Sequence, residues 1–143
     1  MSAYEVGLRT TVVTTATATV EVRAGTRRVQ IHELGITLQA ATASTFGLGR
    51  PANSGSTAGG TNNAPQPGDV ADAAAGFSVI STGQTTAPTA PAVFFRRIGF
   101  PATIGSGVIW TFRNLVIPVS GALVLWNLSA VGVADVYLVA EEQ

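Results

Sequence analysis

Apolar and polar residues alternate one by one over much of this chain, and that alternation restricts it to strands. Tyr4, Val6, Leu8 and Thr10 alternate with Glu5, Gly7 and Arg9. A period of two puts one set on each face of a half-buried strand. The run 10–19 is mostly Thr, Val and Ala, and β-branched residues of this kind favour strands and resist helix. It reads as a strand, a turn near Thr14–Ala16 and a second strand through Thr19–Arg23. After a turn at Ala24–Thr26, Val29 and Ile31 alternate with Gln30 and His32, and the apolar set changes phase at Leu34, Ile36 and Leu38. A phase change inside a long strand predicts a bulge, and Gly35 is where one is tolerated.

Further short strands are expected over Ser44–Arg50, Phe77–Ile80 and Leu115–Val119, with Pro118 at an edge or strand end. The stretch Pro91–Phe112 reads as two strands joined by a turn. It supplies much of the bulky apolar surface, and its phenylalanines, Ile109 and Trp110 are expected in the core. Arg96 and Arg97 interrupt it, and strand alternation sends them to opposite faces. The segment Gly121–Leu128 is apolar on both faces, so it is expected to be central and covered on both sides. A last strand is expected over Val131–Ala140. Only Ala71–Ala75 has helical character, and glycines bound it closely.

Eight to ten short strands without a crossover helix predict an all-β fold: an antiparallel β-sandwich, jelly-roll-like, forming one domain over residues 1–143. One segment stands apart. Residues 51–76 are rich in Gly, Pro, Ser and Asn and nearly free of bulky apolar side chains. They predict a long loop that cannot build a core of its own. Packing against a neighbouring subunit is the expected hold on it.

Composition narrows the function classes. Charged residues make up only 11% of the 143 residues, against an ordinary ~25%. Net charge is zero and all eight basic residues are Arg. A surface so poor in charge invites association. With no basic excess, no nucleic-acid partner is expected. The chain has no Cys, so neither a disulfide framework nor a thiolate metal site is available. The N-terminus lacks a signal-peptide layout, and no run reaches the ~20 apolar residues of a membrane helix. A soluble protein made in the cytoplasm, with no membrane partner, is expected.

No catalytic constellation stands out. His32 is the only histidine, and its neighbour Glu33 points to the opposite face of the strand. Asp69 and Asp72, with Asn62 and Asn63, fall short of the six to eight oxygens, roughly, of a calcium site. Gly47-Leu48-Gly49 lacks the further glycine and the helix of a dinucleotide fingerprint. Asn127-Leu128-Ser129 matches a glycosylation sequon but sits at a strand end. Neither enzyme activity nor a cofactor is expected. The pairs Arg27-Arg28 and Arg96-Arg97 are the notable charges. Either they guard sheet edges and pair with Glu21, Glu33 or Asp135, or they fork onto a carboxylate or carbonyl of another subunit.

Three blocks, RRVQIHELGITLQAATASTFGLGRPAN, APTAPAVFFRRIGFPATIGSGVIWTF and VIPVSGALVLWNLSAVG, together with the opening AYEVGLRTT, resemble a group of small all-β structural proteins of actinobacterial tailed phages and prophages. The resemblance spans nearly the whole chain. It implies a virion structural protein without catalysis, best matched to head decoration, or cement. Such a protein forms a homotrimer on the outer surface of the head, bridges copies of the major capsid protein and opposes internal DNA pressure. Candidate subunit or capsid contacts are then Tyr4, Arg50, Asn53, Asn62, Asn63, Arg96 and Arg97. The alternative is a receptor- or glycan-binding trimeric jelly-roll module of a fibre, neck or tail. A cupin-like enzyme on the same fold needs a His-rich metal site that one His does not supply.

Overall fold

The structure, a computed structural model, describes residues 2–11, 17–81, 83–129 and 132–143. The turn expected near Thr14–Ala16 and the start of the last strand at Val131 lie outside these residues. Most of the expected strands form, the one expected over Leu115–Val119 being instead the end of a longer strand that stops at Ile117, and no helix occurs among the described residues. They are β1 (Ser2–Arg9), β2 (Thr17–Arg23), β3 (Val29–Leu38), β4 (Ser44–Gly49), β5 (Thr61–Asn62), β6 (Gln66–Pro67), β7 (Ser78–Ser81), β8 (Arg96–Phe100), β9 (Gly107–Ile117), β10 (Ala122–Asn127) and β11 (Ala134–Glu142).

Two antiparallel sheets pack face to face. One has the order β6-β1-β11-β3-β9, the other β5-β7-β2-β10-β4-β8. Alternation along each strand feeds one core between them. Tyr4 and Val6 of β1, Ile36 and Leu38 of β3, Phe46 and Leu48 of β4, Leu123 and Leu125 of β10, and Val136 and Leu138 of β11 all point inward and are buried. The phase change in β3 is a bulge, as expected, but it falls at His32, the extra residue between Ile31 and Glu33 opposite the adjacent Ala140 and Val139 of β11. Gly35 serves packing instead. The Tyr137 ring lies so close that a Cβ on Gly35 would stand 2.0 Å from ring carbon Cε1.

Strand β10 is central and wholly buried, as its two apolar faces require. Its inner face meets the other sheet. On its outer face Val124 and Trp126 form a second cluster with Ala18, covered by Phe94 and Leu128. Phe94 meets Trp126 edge to face at 5.7 Å between ring centres. The connection 83–95 therefore serves as part of a third layer.

Residues 51–76 complete that layer and close one flank. Contrary to expectation, the chain itself holds them. Backbone hydrogen bonds pair 52–58 with 85–89: Ala52 N to Thr89 O at 2.9 Å, Thr89 N to Asn53 O at 2.9 Å, Ser56 N to Thr86 O at 2.8 Å and Thr85 N to Ala58 O at 2.9 Å. Beneath them lies Glu21, a fully buried carboxylate. It accepts from Arg23 Nη2 at 2.9 Å and from Gln84 Nε2 at 2.6 Å. Arg23 also donates to Gly55 O, and Gln84 to Ser56 O. Further on, the loop adds β5 to the edge of β7 and β6 to the edge of β1. Gly76 N donates to the Glu142 carboxylate at 2.7 Å, tying the loop's end to β11.

Two outcomes check this account. Phe46→Ala empties the centre of the main core, where Phe46 meets Phe100 edge to face; it is expected to lower unfolding free energy by about 3–5 kcal/mol. Arg23→Ala leaves the Glu21 carboxylate buried without its cation and is expected to cost about 3 kcal/mol in urea unfolding. Adding Glu21→Gln should restore much of that loss. An unchanged urea midpoint in Arg23→Ala would remove this network as the hold on the loop.

Candidate functional site

The stretch Pro91–Phe112 is not the centre of the molecule. Strands β8 and β9 follow one another in sequence but belong to opposite sheets, each as the last strand of its sheet. They stand on one flank, joined over the open side by 101–106, where Gly105 takes a left-handed φ of 88°. Of the bulky residues in this stretch, Phe100 is buried. Ile98, Val108, Trp110 and Phe112 pack on the core from its rim. Val93, Phe95, Ile104 and Ile109 are four of the six large apolar side chains that are exposed among the described residues. Bulk and apolarity set the expectation of a core; position at a sheet edge overrides it.

Arginines sit on aromatic faces along this flank. Arg50 lies 5.4 Å from the Phe95 ring centre, Arg96 5.5 Å from Phe112 and Arg97 5.8 Å from Phe94. Arg96 faces the opposite sheet and Arg97 the outer cluster, as strand alternation requires. Neither forms an ion pair with a carboxylate among the described residues; Arg9, Arg23 and His32 do, with Asp135, Glu21 and Glu141. Arg96 Nη1 donates to Phe95 O at 3.0 Å, and Arg50 Nη2 reaches across to Val116 O at 3.1 Å. An exposed cation–π contact contributes about 0.5–1 kcal/mol, so these groups guard the flank more than they hold it. A hollow of about 410 Å³ opens there, bordered by Phe95, Arg96, Phe112 and Leu115.

The structure thus brings Arg50, Arg96 and Arg97 together and leaves the other candidates elsewhere. Tyr4 is a correction. Its side chain is buried against Phe77, and its hydroxyl donates to Ala73 O at 3.1 Å, so it offers no surface to a partner. Asn53 is exposed and its backbone bridges to Thr89. Asn62 is exposed on β5. Asn63 is turned inward, donating to Val79 O and Ser81 Oγ. Asn127 of the sequon is fully buried, with its side-chain oxygen accepting from Thr19 Oγ1 at 2.9 Å.

The outer face of the five-stranded sheet carries the remaining polar groups. Arg9 and Asp135 make a two-point ion pair, with bonds of 2.7 and 3.0 Å. His32 Nε2 lies 3.1 Å from Glu141 Oε2 rather than beside Glu33. Glu33 accepts from the Tyr137 hydroxyl at 2.5 Å. That hydrogen bond, with partial burial and the carboxylate charge, holds the Tyr137 phenol above its ordinary range. No group of three or more His, Cys, Asp or Glu side chains that could hold a metal ion occurs among the described residues. No helix among them is long and apolar enough to cross a membrane.

The Asp135 carboxyl is held below its ordinary range, chiefly by its hydrogen bond from Arg9, which outweighs desolvation, with the Arg9 charge adding a smaller effect in the same direction as the hydrogen bond. A depressed folded-state pKa stabilises above the ordinary carboxylate range, and that contribution is lost as pH falls through the folded value. In Arg9→Ala the Asp135 titration, followed by NMR, should move up into the ordinary aspartate range, and the stability difference from the parent should vanish in acid.

No family model, curated protein or solved structure matches this chain.

Proposed function

We propose that this chain is a phage virion structural protein that decorates the outside of the head as a homotrimer, bridges copies of the major capsid protein and stabilises the shell without catalysis. The alternation of β1, β2, β3 and β4, and again of β8, β9, β10 and β11, between the two sheets is read as jelly-roll winding. The resemblance of the three sequence blocks to head-decoration proteins supports the role.

The observation that carries the reading is β9. It is the longest strand, eleven residues, and one of its edges has no partner strand among the described residues. Natural edge strands are short or carry charge, Pro or bulges that block pairing. β9 has one charged residue, Arg113, buries only Ile117, and is irregular only at Phe112–Asn114, where three of its residues stand opposite His32 of β3. Ile104, Ile109 and Phe95 are exposed along or beside it. An edge of this length and composition is expected to be covered in the assembled state. The opposite flank, by contrast, is already filled by β5 and β6. Repeated weak contacts of one kind across a shell add through avidity.

Mass measurement of the free protein should give three chains, and imaging of labelled particles should locate them on the head. Label on the neck or tail, or particles without label, would overturn the decoration role. Ile104→Asp with Ile109→Asp changes exposed side chains, so monomer stability should stay within about 0.5 kcal/mol per site, while trimer formation or shell binding is lost. Normal assembly by this variant would remove β9 as the contact.

A further inference from the structure

On the outer face of the five-stranded sheet, Gly7, Tyr137 and Gly35 stand side by side on β1, β11 and β3. The Tyr137 ring leans over Gly35, and its hydroxyl is held by Glu33. On the other side nothing covers Gly7: a Cβ built there meets no atom within 4 Å. The result is a trough with bare backbone as its floor and an aromatic ring as one wall. Two open hollows, of about 410 and 460 Å³, share Gly7 and Tyr137 in their lining. One end of the trough carries the Arg9–Asp135 pair. The other carries Glu5 and Gln66, brought opposite each other by the pairing of β1 with β6.

We propose that this trough binds a neutral pyranose unit of a glycan. A pyranose has an apolar C–H face and a rim of hydroxyls. The Tyr137 ring offers the first an apolar surface. The second needs donors and acceptors close together, and Arg9, Asp135, Gln66 and Glu5 supply both kinds. Charge sets the class. Two carboxylates, Glu5 and Asp135, line the trough against one cation, Arg9, which is already neutralised by its pairing with Asp135, so the unpaired Glu5 charge disfavours phosphate, sulfate and acidic sugars. Neutral hydroxyls donate to those carboxylates. Hollows of this size fall within the ~300–1,000 Å³ of small-molecule sites, and their open tops suit a terminal or branching unit of a longer chain. The trough lies on a sheet face away from the free edge of β9, so the proposal stands or falls independently of the assembly described above.

Gly7 makes the test clean. Its φ lies outside the left-handed region and its Cβ direction is open, so Gly7→Val fills the trough while favouring the strand. The full chain, its Gly7→Val variant and its Gln66→Ala variant are applied to an array of neutral and acidic oligosaccharides. The same proteins are titrated by NMR with the methyl α-pyranosides of glucose, galactose and mannose. The parent should bind neutral glycans ending in a hexopyranose, and one of the three glycosides should shift the amide signals of Gly7, Arg9 and Tyr137. Gly7→Val should melt no lower than the parent and lose affinity about tenfold or more. If Gly7→Val melts lower, Gln66→Ala, an exposed side chain, gives the same readout and should weaken binding. The proposal is overturned if no neutral glycan or glycoside binds, if acidic glycans bind equally well, or if a stably folded Gly7→Val or Gln66→Ala binds as the parent does.

Discussion

A strand that is apolar on both faces needs two covers, and much of this architecture answers that need. β10 is buried along its whole length. Its inner face is met by the opposite sheet. Its outer face carries Val124 and Trp126 and would otherwise expose large apolar area at about 25 cal/mol per Å². Phe94 and the connection around it lie over that face. The cover is poor in apolar side chains elsewhere, so burial alone does not fix it. Glu21 does: a carboxylate removed from water beneath the cover, satisfied by Arg23 and Gln84, whose own remaining donors reach the loop backbone. A buried charge of this kind is costly unless every partner is in position, so it selects one seating of the loop among many.

What could be read in the chain follows from the range of the physics involved. Period-two alternation is local, and it located the strands, the two-faced burial of β10 and the opposite facing of Arg96 and Arg97. The bulge in β3 was legible as a phase change, although its place at His32 depends on register with β11. The edge position of Pro91–Phe112 was not legible. Phe95 and Ile109 look like core by size and hydropathy, and only the order of strands in each sheet puts them at a rim. The hold on the loop was equally hidden, because Glu21 and Gln84 are far apart in sequence and become neighbours only through the pairing of β2 with β7.

The polar outer face shows the same limit. Gly7, Gly35, Tyr137, Arg9 and Asp135 carry no motif as a sequence. Antiparallel pairing of β11 between β1 and β3 makes them neighbours. Tyr4 illustrates the reverse error: an aromatic near the N-terminus looks available, yet alternation within β1 sends it inward with Val6, and its hydroxyl finds a backbone carbonyl there.

The two flanks of the sandwich are unequal. On one, the two-residue strands β5 and β6 stand last in both sheets; on the other, β8 carries two arginines and the eleven-residue β9 only one, Arg113. Endless fibre growth by strand addition needs a receptive edge at each end of the repeating unit. This chain has one. A copy that docks through β9 finds no matching long edge on the far side of its neighbour, so strand-on-strand growth stops after a single step. Any contact through β9 would thereby be confined to closed rings or to a seat on a different surface, and the covered flank would limit the size of such an assembly.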